Sequence, residues 1–273
     1  MSMTLRGWRS PPTAGACAAI LLALGASAAL AQEPAFESLQ MRDIAVVDVP
    51  VDADAVAGRL ATAITFATIS NQDRDDFNED AFRDFHQYLA EAFPRVHESL
   101  TREVLGEPRA FSLLYTWEGT DPSLPPIVLM AHQDVVPIVP GTEDQWDHDP
   151  FAGDIADGYV WGRGSLDDKV MIMAILEAIE LHLQQGFQPV RTIYLVFGQD
   201  EEVGGPEGVS RIVEILHSRG IDEVALVLDE GLPLTTGLFP GLTAPIALIG
   251  TAEKGYVSLQ LRVAGAGGHS AMP

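Results

Sequence analysis

RTIYLVFGQDEEVGG, residues 191–205, sets an apolar run directly before three consecutive acids and a pair of glycines. The run RTIYLVFG reads as a buried strand. A solvated acidic turn would account for Asp200, Glu201 and Glu202 taken alone. The apolar strand before them and the tight loop offered by Gly204-Gly205 argue against it. Adjacent side chains diverge, so two neighbouring glutamates can serve different ends. One can bind a metal while the other accepts a proton from an activated water.

Outward from this strand the pattern alternates. AFSLLYTWEG and PIVLMAH read as strands, and GDIADGYVWG reads as a hairpin turning at Asp157-Gly158. DDKVMIMAILEAIELHLQQG predicts a long, largely covered helix. GVSRIVEILHSRG predicts a helix ending at Gly220, and EVALVLDEG a further strand. Upstream, 55–70 has helical spacing with Asp52 or Asp54 as the cap, and 71–96 holds an amphipathic helix with Phe82, Phe85, Leu89 and Phe93 on one side. The alternation predicts an α/β domain with a mixed or mostly parallel sheet. PIALIGTAEKG is expected to close that domain, and the alternation of Tyr256–Val263 predicts a half-exposed strand opening something new.

Four polar clusters stand at predicted strand ends, where α/β sites collect: His132-Gln133-Asp134, Asp167-Asp168-Lys169, Glu201-Glu202 and Asp229-Glu230. His132 and Asp134 point to one face of an extended chain, so Asp134 is placed to fix the ring of a metal-bound His132. A hydrogen-bonded core histidine beside a turn aspartate is the plain alternative. Ser165 and Asp168 fit a capping box, which leaves Asp167 free to bridge cations, with Lys169 as a countercharge. Either Asp229 or Glu230 can supply another ligand. His86, His97, His148, His182 and His217 fall on predicted helix surfaces or in loops and receive no role.

The chain has 39 acids against 16 Lys+Arg, a formal charge of −23. Such a surface repels nucleic acid and anionic membranes and supplies hard ligands for divalent metals. Residues 1–31 have the form of a signal peptide, with Arg6 and Arg9, a small-residue apolar core, and Ala29-Leu30-Ala31 before Gln32. Secretion or delivery to a periplasm follows, a retained anchor being the alternative. Cys17 is the only cysteine, so a chain starting at Gln32 has no disulfide, thiol nucleophile or cysteine zinc site.

Together LMAHQDVVP, QWDHDPF, GYVWGRGSLDDK, GQDEEVGG and VLDEG, followed by APIALIGTAEKG and GGHSAMP, resemble the M20 family of metallopeptidases. The likeness is greatest to its carboxypeptidase S / N-fatty-acyl-amino-acid hydrolase branch, and the motifs run from about Ile127 to Pro273 in family order. The resemblance implies a three-layer α/β/α zinc-peptidase domain (phosphorylase/hydrolase-like) with a mixed sheet over 32–254. A smaller α+β lid or dimerisation domain would begin at 255–273. It further implies two Zn2+ ions, or Co2+ or Mn2+ in their place. His132 would bind one metal, Asp167 bridge both and Glu202 bind the other. Asp229 would join the His132 side, a place taken in some relatives by the residue matching Glu230. Asp134 would orient His132, Glu201 act as general base, and His269 stabilise an oxyanion from the lid. Asp200 is left as a loop residue or as one that supports a metal ligand from behind. The implied substrates are peptides with a free C-terminus or N-acyl amino acids, with a homodimer expected of a complete lid. Family members return from the lid to supply a final His ligand, so an N-terminal portion is expected here. A non-catalytic acidic metal-binding remnant or interaction module is the competing reading.

Overall fold

Asp52 opens the first helix, α1 (Ala53–Ile64), accepting a hydrogen bond from the Ala55 amide at 3.1 Å. The computed structural model describes residues 49–262 apart from 233, 242, 253, 254, 256 and 258. The predicted signal peptide and His269 lie outside the described residues, as does most of 255–273. The helix expected over 55–70 stops at Ile64. The stretch that follows forms an isolated parallel bridge instead, Ile69 with Val135: Val135 donates to Thr68 O at 3.0 Å and Ser70 to Val135 O at 3.1 Å. Tertiary pairing there outweighs the helical spacing.

Helix α2 (Glu79–Ala92) buries Phe82, Phe85 and Leu89 and is capped by Asn78. Two elements follow that the sequence did not suggest. They are α3 (Pro94–Ser99), begun by a proline in its first turn, and strand β1 (Thr101–Leu105). Both are too short and too charged to show a period, and β1 is an edge strand, where charged residues are tolerated. Strand β2 (Ser112–Trp117) is buried at all six positions, which is why its sequence is apolar without alternation. Next come β3 (Ile127–His132), the β4–β5 hairpin (Ile155–Ala156, Tyr159–Val160), α4 (Lys169–Gln184), β6 (Ile193–Gly198), α5 (Val209–Ser218) and β7 (Leu226–Leu228). The hairpin turns at Asp157 and Gly158, both at positive φ, as expected.

The main sheet has the order β1-β2-β6-β3-β7. Its first two pairings are antiparallel and its last two parallel, so the sheet is mixed. One face packs on α1–α4 through Phe85, Leu89, Tyr115, Ile172, Leu176 and Phe197. The other packs on α5 through Leu114, Val196, Ile212 and Leu216. This is the expected three-layer α/β/α arrangement. The anticipated strand over Tyr256–Val263 is absent among the described residues of that stretch, and no described strand is there to pair with it. No described helix is long and apolar enough to cross a membrane.

Two local expectations are corrected. Helix α4 starts at Lys169 with Asp168 at its cap position and no side-chain cap bond, so the Ser165–Asp168 capping box does not form. The Lys169 amide instead donates to Gly164 O at 3.0 Å, which tightens the preceding turn. His86 is buried, not on a helix surface, and its Nε2 meets Gln133 Oε1 at 2.6 Å. Gln133 donates its own amide to Phe111 O and Phe197 O, so its Oε1 must accept and His86 carries its proton on Nε2.

Candidate metal centre

Parallel pairing decides what meets here. His132 is the last residue of β3 and lies in register with Gly198, the last of β6; Leu129 pairs with Leu228, the last of β7. The segments leaving β6 and β7 therefore carry Glu201-Glu202 and Asp229-Glu230 to the rim where His132 stands. Asp167-Asp168 arrive just before α4, on the rim at the carboxyl ends of the parallel strands. Gly204 and Gly205, at φ 94 and 65, reverse the chain directly after the short helical turn Glu201–Val203.

The imidazole of His132 is almost fully buried. Its Nδ1 lies 2.9 Å from Asp134 O and 3.3 Å from Asp134 Oδ1. Its Nε2 lies 2.9 Å from Asp167 Oδ1, 3.6 Å from Glu230 Oε1 and 3.9 Å from Glu201 Oε2. Asp134 is also fully buried, and its two oxygens accept the amides of Glu201 and Glu202, each at 3.1 Å. One carboxylate thus ties the histidine to the turn bearing both glutamates. Asp200 does a different job. Its oxygens accept the amides of Glu207 and Gly208 at 2.9 and 3.0 Å, and Arg74 braces it at 3.3 Å. It holds the loop, as expected of it.

Crowded acids in a partly dry site resist ionisation. Burial first, and Asp167 next, push the Glu202 carboxyl up to about 7. Burial likewise raises Asp168 to about 7, Glu230 adding to it, and raises Glu201 and Glu230. For His132 burial opposes the charged ring, but the Asp134, Asp168 and Glu230 carboxylates outweigh it and lift the pKa to about 10. The raised carboxyls report burial first and crowding by other acids second, a cost that a proton or a cation relieves.

Two groups of side chains bring ligand atoms within 4.8 Å of one another: His132 with Asp167 and Glu202, and His132 with Asp168 and Glu230. One imidazole nitrogen with several carboxylate oxygens suits zinc, cobalt or manganese. Asp168 Oδ2 is buried without a hydrogen-bond partner, an orphan acceptor of the kind a cation satisfies. The donor set fits a metal. Of the residues singled out from sequence, His132, Asp134, Asp167, Glu201 and Glu202 are brought together. Asp229 is in neither group; its Oδ1 accepts the Glu230 amide at 2.9 Å, while Glu230 faces the histidine. Sequence reasoning missed Asp168, which it spent on the capping box. It also misread Lys169, which is buried and donates to Ala63 O and Phe66 O at the end of α1. A lysine opening an otherwise apolar helix was the available signal.

Fold and rim together define an α/β domain with a histidine–carboxylate centre at its strand ends. The family model for Peptidase family M20/M25/M40 matches residues 128–258, and this chain carries an M20-family segment. It is 47% identical over 221 residues to the probable carboxypeptidase S-like 2 of Dictyostelium discoideum, covering 80% of this chain and 42% of that one. It is 43% identical over 216 residues to the N-fatty-acyl-amino acid synthase/hydrolase PM20D1 of Xenopus tropicalis, covering 78% and 41%. To carboxypeptidase S of Saccharomyces cerevisiae it is 40% identical over 223 residues, covering 80% and 37%. Among solved structures, human carnosine dipeptidase 1 shares the fold with a TM-score of 0.54 at 21% identity, over 67% of this chain and 40% of that one. So does the M20 family metallo-carboxypeptidase Sso-CP2 of Sulfolobus solfataricus, with 0.53 at 17%, over 66% and 38%. The matched region thus spans about two-fifths of the relatives' length.

Proposed function

We propose that the chain is the metal-binding part of an exported amidohydrolase that cleaves a peptide or N-acyl-amino-acid amide bond. The observation that carries this is the meeting of His132 Nε2 with Asp167 at 2.9 Å, with Glu201 and Glu230 within 4 Å and Glu202 in the same ligand group. His132, Asp167 and Glu202 would share an ion, whereas the resemblance gave Glu202 to the second one; Asp168 and Glu230 also group with His132, so Glu230 stands where the resemblance put Asp229, on the His132 side. Zinc, or cobalt or manganese, bound there supplies the Lewis acidity that activates water and polarises the amide carbonyl. The sequence likeness to a carboxypeptidase S and to an N-fatty-acyl-amino acid hydrolase supports the substrate class.

The chain's own groups then do the following. Asp134 fixes the His132 ring and the turn beneath it, so that Nε2 faces the acids. Glu201 takes a proton at its carboxylate from the attacking water and returns it to the departing amine. Burial has already raised its pKa toward that task. His269 is assigned the oxyanion, on the resemblance alone. Residues 1–31 are assigned to export, and a secreted product beginning at Gln32 would bear that out.

Glu201→Gln tests the reading. It keeps the shape and removes the base, so metal content should stay within about twofold while turnover falls by about 10²–10⁴-fold. Undiminished turnover in that variant overturns the role of Glu201. Metal uptake by the parent chain with no amide hydrolysis would select the non-catalytic reading.

A further inference from the structure

A second cavity, of about 630 Å³, lies between α2 and the edge strand β1, and no residue of the metal centre lines it. Three arginines do: Arg83 from α2, Arg102 from β1 and Arg109 from the β1–β2 loop. On a chain with 16 Lys+Arg against 39 acids, three guanidinium groups around one cavity are a concentration of positive charge. Two of them have partners. Arg83 pairs with Glu79 and Asp80, and Arg109 lies 3.5 Å from Glu207 and donates to Arg74 O.

Arg102 has none among the described residues. Its Nε is buried without a hydrogen-bond acceptor. The strand's alternation sends the neighbouring Glu103 to the opposite face, where it binds Arg219 at 2.8 and 2.7 Å. The same alternation puts Val104 beside Arg102, and Phe111 closes the wall. Arg102 as a whole is half-buried, but an Nε–H shielded from water and lacking an acceptor is costly to keep, and a ligand supplying one removes that cost.

We propose that this cavity binds a small monocarboxylate with an apolar body. The planar fork of Arg102 takes the carboxylate in two parallel hydrogen bonds. Val104 and Phe111 take the body. A single charge suits the site because Arg83 and Arg109 are already largely neutralised by their own acids, leaving one cation unmatched.

Calorimetric titration of the full chain with hexanoate, hexanol and inorganic phosphate tests this. Hexanoate should bind, and hexanol and phosphate should each bind at least about tenfold more weakly. Arg102→Gln should weaken hexanoate at least tenfold. Val104→Glu, at an exposed edge position, should do the same by placing a like charge in the wall, and it carries the test if the arginine variant fails to fold. Glu202→Gln should leave hexanoate binding unchanged. Binding that survives both cavity variants, or that disappears in Glu202→Gln, places the acid elsewhere and overturns the proposal. No hexanoate binding overturns it as well, and phosphate binding as tightly as hexanoate overturns the ligand class.

Discussion

Asp134 shows how much one buried side chain arranges. Its oxygens accept two backbone amides and face an imidazole, so every lone pair it turns inward has a use. Asp134→Asn would put an amide donor against one of those N–H groups. The expected cost is about 1–3 kcal/mol of stability from the lost acceptor, with metal affinity falling about 10–100-fold through a looser His132. Denaturant unfolding and chelator competition measure the two separately; a variant with parental metal affinity would deny Asp134 its positioning role. The two-residue spacing of His132 and Asp134 made their proximity legible in sequence. The bonds from Asp134 to Glu201 and Glu202 were not legible, because they depend on β3 and β6 lying side by side. The choice between Asp229 and Glu230 likewise turns on which residue after Leu228 faces His132, a matter of local backbone direction.

At the level of elements, the joint between α1 and α4 depends on a residue that the sequence presented as a mere countercharge. Lys169 is fully buried, and its ammonium lies 4.9 Å from the centre of the Phe85 ring. It donates to Ala63 O at 2.9 Å and to Phe66 O, at the C-terminus of a helix with no basic residue in its last turn. Ala63 O also accepts the Phe66 amide at 3.4 Å and Phe66 O, just past the helix, the Thr68 amide at 2.9 Å, so the ammonium adds a second bond to each. Lys169→Met would fill the same space and remove both ammonium bonds while each carbonyl keeps its backbone donor, costing about 1–3 kcal/mol from the two lost charge-assisted hydrogen bonds. The midpoint of chemical denaturation reads this directly, and an unshifted midpoint would mean the backbone donors satisfy both carbonyls without the ammonium. Strands β2, β3 and β6 were legible because an apolar run of six cannot be mistaken for a surface. Strand β1 was hidden, since it is an edge strand carrying an arginine and a glutamate. The end of α1 was hidden because pairing with Val135, remote in sequence, decides it.

For the whole molecule, acid stability sets two large effects against each other. The chain carries a formal charge of −23, and protonating carboxylates relieves that self-repulsion as the pH falls. The buried histidine works the other way. Burial, the largest influence on His86, pulls its pKa from the model-compound value of 6.5 down to about 4. Above pH 6.5 the ring is neutral whether the chain is folded or not, and it exerts no pH dependence. Between 6.5 and 4 the unfolded chain takes up a proton that the folded chain refuses, so folding stability falls with pH. The loss reaches about 3 kcal/mol, at about 1.4 kcal/mol for each pKa unit, and levels off below 4. Half-buried His97, its pKa also lowered first by burial, adds to the loss in the same direction. His86→Gln keeps a donor toward Gln133 and cannot titrate. Its unfolding free energy should therefore fall less steeply than the parent's from pH 7 to pH 4.5, the two curves running parallel above pH 7. Parallel curves throughout would show that charge relief and carboxylate titration alone govern acid stability, and that His86 reaches water before the fold opens.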